Sequence, residues 1–286
     1  MGAIRDRMVA EMELRGLSEA TKESYVSCCR VFVAHFMRSP EQLGAEEIQA
    51  FLLHLIRDRR ASPPTVGVYV AAIRFLYRWV LRNRDAVADL ARPKIPKKLP
   101  TVPSREEVHA ILSAVRSPKY RTILIVAYAA GLRISEARRL RVQDIDSERM
   151  VLHIRGAKQA KDRLVLLSPK LLAMLRRYWA VAQPGGSYLF PSRRSGKPVS
   201  IDAVRKVLKV AMTEMGFKKK VTLHSLRHGF ATHLLEDGTD VRVIQALLGH
   251  ASIQTTAHYT RVSTQHMQSV TSPLDRLAPL VDAPPR

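Results

Sequence analysis

The sequence predicts a mainly α-helical protein with one small β-sheet, arranged as two domains of unequal charge. Three observations lead there. Apolar residues recur at helical spacing over most of the chain. A single pair of β-like runs, "MVLHIR" (150–155) and "RLVLL" (163–167), is joined by "GAKQAKD". Between two helical stretches, "RPKIPKKLPTVPS" (92–104) sets four prolines in thirteen residues, which excludes a helix and favours an extended linker. With 286 residues, 46% of them apolar, the chain can fill two cores.

Residues 1–92 read as a four-helix bundle. "IRDRMVAEMELRG" is amphipathic and stops at Gly16. Ser18 opens a second helix with Tyr25, Cys29, Phe32 and Phe36 on one face. "GAEEIQAFLLHLIRDRR" carries Ile48, Phe51, Leu52, Leu55 and Ile56 as one stripe. The fourth helix starts after Pro63–Pro64 and runs through Val66, Tyr69, Val70, Ile73, Tyr77 and Val80 to about Arg82. Residues 93–103 form the basic linker. Ser104 then begins the second domain, 104–270, with the capping-box spacing Ser104-x-x-Glu107. A helix over 119–130 is broken by Gly131, and the hairpin of 150–167 follows. Helices are expected near 169–182, 201–215, 224–236 and 240–248, the last stopped by Gly249, with a short one over 252–260. Residues 271–286 are a tail; apolar Met267, Val270, Leu274 and Leu277 lead into it and run along it.

Formal charge is +22 with a pI near 10.6. Residues 1–92 hold 14 Lys/Arg against 11 Asp/Glu, and residues 93–286 hold 33 against 14, so the second part carries most of the positive field. Such an excess points to a polyanion, nucleic acid ahead of a membrane surface. No signal peptide or membrane span is visible, which makes the cytoplasm the expected compartment. The adjacent Cys28 and Cys29 suit neither a disulfide nor a zinc site and read as small packing residues.

Four stretches carry candidate chemistry. "HSLRHGFATHLL" (224–235) sets Leu226, Phe230 and Leu234 on a buried stripe, yet crowds His224, Arg227 and His228 into a helix start where acids normally sit. His224 and Arg227, at i and i+3, share one side of a turn whose free N–H groups already favour an anion. A basic surface turn that touches phosphates without catalysis fits equally. "ALLGHASIQTTAHYT" places His250 after a helix-ending glycine and Tyr259 nine residues on; alone, Tyr259 also reads as a core or rim tyrosine. "AAGLRISEARRL" (129–140) puts Arg133 at a helix start with Glu136 one turn later to orient it, or forms a structural Arg–Glu pair. "RGAKQAKDR" projects Lys158 and Lys161 from a tight turn, which taken alone is a solvated basic loop.

Taken together and in order, "GLRISEARRL", "GAKQAKDR", "HSLRH", "LLGH" and "TTAHYT" resemble the signature of the tyrosine recombinase (phage integrase) family. The resemblance covers the second domain almost completely, and the helical first part with its basic linker looks like that family's core-binding, SAM-like domain. It implies a C-shaped two-domain DNA clamp. It also implies an active site of Arg133, Lys158, His224, Arg227 and His250, with Tyr259 as the nucleophile. The hairpin departs slightly from the family's Gly-Lys-Gly-x-Lys: Lys158 still aligns, with Lys161 as its neighbour.

The chemistry implied is site-specific strand cleavage and rejoining through a 3′-phosphotyrosyl intermediate. Arg133 and Arg227 flank the phosphate, and His250 donates a further bond to it. Lys158 protonates the leaving 5′-oxygen, and His224 handles the proton at the tyrosine. Because the intermediate conserves the phosphodiester's energy, no nucleotide, metal or other cofactor is expected. The implied partner is double-stranded DNA carrying a specific site, bound by a monomer or weak oligomer that becomes a homo-tetramer on synapsed DNA. Phosphate or base contacts are expected from Arg74, Arg78, Lys94, Lys97, Lys98, Lys161, Arg205 and Lys209, which solvated faces explain as well. The apolar tail fits docking on a neighbouring subunit or packing on its own domain. Two rivals share these features: a type IB topoisomerase-like nicking and resealing enzyme, and a non-catalytic site-specific DNA-binding protein.

Overall fold

The computed structural model describes residues 2–91, 93–94, 101–155, 162–192, 196–249 and 271–277. The chain divides into two compact units, Met1–Lys98 and Leu99–Arg286, each with its own apolar core.

Four helices build the first unit: α1 (Gly2–Leu14), α2 (Glu19–Phe36), α3 (Ala45–Arg57) and α4 (Pro63–Phe75). Ser18 caps α2, its hydroxyl accepting the Thr21 N–H at 3.3 Å. Met12, Phe32, Phe51, Val70 and Ile73 are buried where these helices meet. The stripe expected on α3 holds at Ile48, Phe51, Leu52 and Leu55 but not at Ile56, which is 49% exposed. Packing against α4 covers only part of that apolar arc, and Ile56 lies on its uncovered flank. The last expected turns of α4 also differ, because Leu76–Val80 widens into a π turn closed by Leu81 N–H to Leu76 O at 3.0 Å. That turn buries Tyr77 completely, its hydroxyl shared between the carbonyls of Leu43 (2.8 Å) and Pro40 (3.0 Å). Both cysteines are free and buried, and burial pushes their thiols up, as befits packing residues.

The second unit is built around α6 (Pro118–Ala129). Every residue from Thr122 to Ala129 is buried, so the helix is enclosed on all sides over this stretch, and it packs against both α8 (Pro169–Ala182) and α10 (Leu223–Glu236). Ahead of it, α5 (Arg105–Ala114) starts with the expected capping box: Ser104 Oγ accepts the Glu107 N–H at 3.2 Å and Glu107 accepts the Ser104 N–H at 2.8 Å. A single turn, α7 (Ile134–Ala137), leads to a three-stranded antiparallel sheet of β1 (Ile145–Asp146), β2 (Val151–Ile154) and β3 (Arg163–Leu166) in that order. The expected hairpin pairs Val151 with Leu166 and Ile154 with Arg163. β1, two residues long, is too short for any period to announce it. Two further helices are α9 (Ile201–Glu214) and α11 (Val241–Leu248), the latter stopped by Gly249 at φ +60°. The helix expected over 252–260 lies outside the described residues, as do Met267 and Val270.

The tail has a definite answer over 271–277. Leu274 and Leu277 are buried in this unit's own core. Ser272 Oγ donates to Ala129 O, and Ser168 Oγ donates to Asp275, both at 2.9 Å; Lys170 Nζ donates to Leu277 O at 2.6 Å. Leu274 and Leu277 are therefore committed within the chain, and this segment offers no apolar surface to a neighbour. Among the described residues, no helix is long and apolar enough to cross a membrane.

Candidate active site

Three segments distant in sequence meet at the turn between α6 and α7. Gly131 makes the turn at φ +60°, and Arg133 follows in extended conformation just ahead of α7. One turn on, Glu136 accepts the Arg133 backbone N–H at 2.9 Å and its guanidinium at 3.0 Å, the pairing expected from their spacing. The same carboxylate is held from the other side by Arg163 of β3, whose two terminal nitrogens each donate to one oxygen, at 2.9 and 2.8 Å. Glu136 is 7% exposed and Arg163 12%, against 29% for Arg133. Burial pushes the Glu136 carboxyl up, but the Arg163 hydrogen bonds and charge, with the hydrogen bonds from Arg133, more than reverse this and hold it at about 2.

α10 supplies the second arginine. Thr222 caps the helix, its hydroxyl accepting the Ser225 N–H at 3.2 Å. Arg227, one turn in, is only 2% exposed. It donates to Gly131 O at 2.7 Å and also to Leu248 O, tying the turn before Arg133 to the end of α11. Desolvation, then the charge of Arg133, brings its guanidinium down to about 10, so it stays protonated at neutral pH. The reading of residues 224–228 as a basic surface turn therefore fails for Arg227, a buried strut between three segments. His224 and His228 are more open, with rings edge to face at 4.6 Å. Desolvation first, then neighbouring cations, lowers both imidazoles below their ordinary value and favours the neutral, proton-accepting form.

Beside Arg133 opens a cleft of about 360 Å³ lined by Arg139, Arg141, Arg155, Glu136 and Tyr188 among others. The Arg141 guanidinium stands 5.3 Å from the Tyr188 ring centre, and Arg155 donates to the buried Asp144 at 2.8 Å. Arginines outnumber carboxylates on these walls, so the cleft suits an anionic ligand. Among the described residues, no group of three or more His, Cys, Asp or Glu could hold a metal ion.

The structure thus brings together Arg133, His224 and Arg227. Lys158, Lys161, His250 and Tyr259 lie outside the described residues, as do Lys97 and Lys98. Of the other DNA-contact candidates, Arg78, Lys94, Arg205 and Lys209 are exposed. Arg205 pairs with Asp202, and Arg78 lies 5.2 Å from the Trp79 ring centre. Arg74 is half-buried and donates to Leu90 O, which occupies part of its donor capacity within the first unit. Sequence reasoning missed Arg163 and the cleft arginines. The run "RRLR" at 138–141 signalled Arg139 and Arg141; Arg163 ends the motif "GAKQAKDR", but nothing local pointed it at Glu136.

Gly131 is the tightest point of the site. A Cβ there would lie 2.5 Å from the Phe230 ring and 3.1 Å from Leu248. Left-handed strain of about 1–2 kcal/mol and overpacking of about 1–3 kcal/mol should both act on Gly131→Ala. Its chemical denaturation midpoint should fall accordingly; an unchanged midpoint would refute this packing.

Residues 103–266 match the family described as "Phage integrase family", and residues 4–85 match "Phage integrase, N-terminal SAM-like domain". A chain of Sinorhizobium fredii named integrase/recombinase is 43% identical over 286 residues, covering 100% of this chain and 92% of that one. Tyrosine recombinase XerA of Pyrococcus furiosus is 35% identical over 282 residues, 97% of this chain and 96% of that one. Among solved structures, a lambda integrase dimer bound to a COC′ core site aligns at TM-score 0.72 and 19% identity, over 90% of this chain and 99% of that one. A lambda integrase tetramer bound to a Holliday junction aligns at TM-score 0.71 and 18% identity, over 92% and 80%. At these identities, the lambda integrase alignments bear on the fold alone.

Proposed function

The chain belongs to the phage integrase family and acts in site-specific DNA recombination; from that premise we propose that it cleaves and rejoins DNA with Arg133, Lys158, His224, Arg227, His250 and Tyr259. The observation that carries the reading is the junction of Arg133 and Arg227 at the Gly131 turn, with His224 beside them. The charge of Arg133 disfavours that of Arg227, and a phosphate between them relieves that repulsion while its own charge is neutralised.

The step balances without redox chemistry. The Tyr259 oxygen bonds to phosphorus, its proton passing to His224, which is held neutral enough to accept it. The bond from phosphorus to the deoxyribose 5′-oxygen breaks, and that oxygen leaves with its electron pair and a proton from Lys158. Arg133, Arg227 and His250 hold the non-bridging oxygens while charge builds there. The 3′-phosphotyrosyl bond keeps the energy of the one it replaced, so a 5′-hydroxyl of another strand reverses the step without ATP. Guanidiniums supply the charge that a metal ion would otherwise bring.

The partner is double-stranded DNA at a specific site, joined by three further copies of the chain on synapsed DNA, as lambda integrase is a tetramer on a Holliday junction. The domain limits that serve this reading are 1–92, 93–103, 104–270 and 271–286, and the compartment is the cytoplasm. The exposed Arg78, Lys94, Arg205 and Lys209, with Lys97, Lys98 and Lys161, supply phosphate contacts.

The test uses DNA flanking the protein's own gene, on which covalent attachment maps the site. A nicked suicide duplex cut from that site should yield a protein–DNA adduct on a denaturing gel in EDTA, with no magnesium or ATP. An adduct lost in EDTA and restored by magnesium overturns the metal-free step, and no adduct under any condition overturns the enzyme. Strand exchange between two labelled sites should accompany it; supercoil relaxation alone would overturn recombination.

A further inference from the structure

We propose that Arg163 is a positioning residue of the cleavage centre, holding Glu136 so that Arg133 meets the scissile phosphate with its charge uncancelled. The inference rests on the reading of Arg133 as a phosphate-holding arginine. With Arg133 alone, Glu136 would form a neutral pair and could turn both oxygens onto that guanidinium, drawing it off the phosphate. Arg163 prevents both outcomes. Its two parallel bonds, at 2.9 and 2.8 Å, engage both carboxylate oxygens and fix the plane of the group. The trio carries a net positive charge in a largely buried setting, where a charge acts with less screening than in water.

Arg163 is also paired with Ile154, so it closes the hairpin whose intervening residues include Lys158. A Cβ on Gly249 would lie 2.7 Å from Arg163 Cδ and 3.0 Å from its Nε, so the side chain's stem runs directly against the backbone one residue before His250. That Nε is buried with no hydrogen-bond partner among the described residues, so packing and the grip on Glu136 hold the side chain there. Packing against Gly249 therefore fixes the stem from which Arg163 grips Glu136 and, through it, the turn of Arg133. A lysine would keep the charge but not the two parallel bonds.

Single-turnover cleavage of the suicide duplex tests this in Arg163→Ala, Arg163→Lys, Arg133→Ala and the double variant Arg133→Ala/Arg163→Ala, with site affinity measured beside it. Arg163→Ala should slow cleavage by about 10- to 100-fold, the usual cost of losing a group that orients an active-site ligand, and shift affinity by less than about threefold. Arg163→Lys should recover part of the rate; should Arg163→Ala fail to fold, it carries the test alone, with a loss of about tenfold. In the Arg133→Ala background, adding Arg163→Ala should cost less than about twofold, because the arginine it serves is gone. A merely structural role would instead multiply the two losses, which overturns the proposal. Wild-type cleavage by Arg163→Ala or Arg163→Lys beside a strongly slowed Arg133→Ala overturns it too, leaving the active-site reading intact. Normal cleavage by Arg133→Ala overturns that reading and this inference together.

Discussion

Tyr259→Phe should bind its DNA site within about twofold of the parent and form no covalent adduct, the result required if the phenol oxygen is the nucleophile and nothing else is lost. The other tyrosines give this expectation content. Tyr77 and Tyr128 are fully buried, their hydroxyls bonded to main-chain carbonyls and to His233. Burial pushes both phenols far up, and lifts Tyr178, bonded to Leu189 O, to about 12. None of the three can reach DNA or ionise near neutrality. Tyr188 is different, because it is half-exposed and lines the same cleft as Arg133. Its Tyr188→Phe variant should therefore be made in parallel, and it should retain the adduct in full. An adduct that survives Tyr259→Phe and disappears with Tyr188→Phe would move the nucleophile into the cleft.

Arg227 should show the next largest effect. On the proposed reading, Arg227→Ala removes a preorganised donor aimed at developing charge, which typically costs about 10²- to 10³-fold in rate. It also leaves the Gly131 and Leu248 carbonyls without this partner, at about 1–3 kcal/mol for each that stays buried and unsatisfied. Arg227→Lys separates these losses, since the ammonium can satisfy a carbonyl but cannot span both while facing a phosphate. Cleavage by a folded Arg227→Lys protein should fall by about 10²-fold or more with affinity changed only a few-fold. Equal losses in rate and affinity would reduce Arg227 to a phosphate clamp. The lowered guanidinium has a linked consequence. A cation whose folded value falls to about 10 weakens the fold while charged, a penalty fully present below pH 10 and fading above it. A phosphate bound beside Arg227 offsets that penalty, so site DNA should raise the melting temperature of the parent more than that of Arg227→Lys.

Local features of the chain were legible with little loss. The Ser18 cap, the Ser104–Glu107 box and the Gly249 stop each depend on residues within a few positions of one another, and the hairpin joins two neighbouring runs of the chain. So does the Arg133–Glu136 pair, three residues apart on one turn. Where an expectation went astray, a distant neighbour was responsible. Ile56 matched the α3 period, but α4 leaves its flank uncovered. α4 was expected to continue regularly, but Leu76–Val80 widens where Tyr77 shares its hydroxyl with carbonyls 34 and 37 residues away.

By itself, the amino-acid order determined the helical period, the caps, the cationic excess and the family signature, because each is written in spacing along the chain. The tertiary structure alone decided what those cations do. Arg227 is a strut because Gly131, 96 residues back, turns its carbonyl toward it, and Arg163 reaches Glu136 across 27 residues. It alone also placed Leu274 and Leu277 in the chain's own core. Contacts of this kind join residues whose separation follows no helical or strand period. A guanidinium also finds its partner only after packing has brought both within hydrogen-bonding distance.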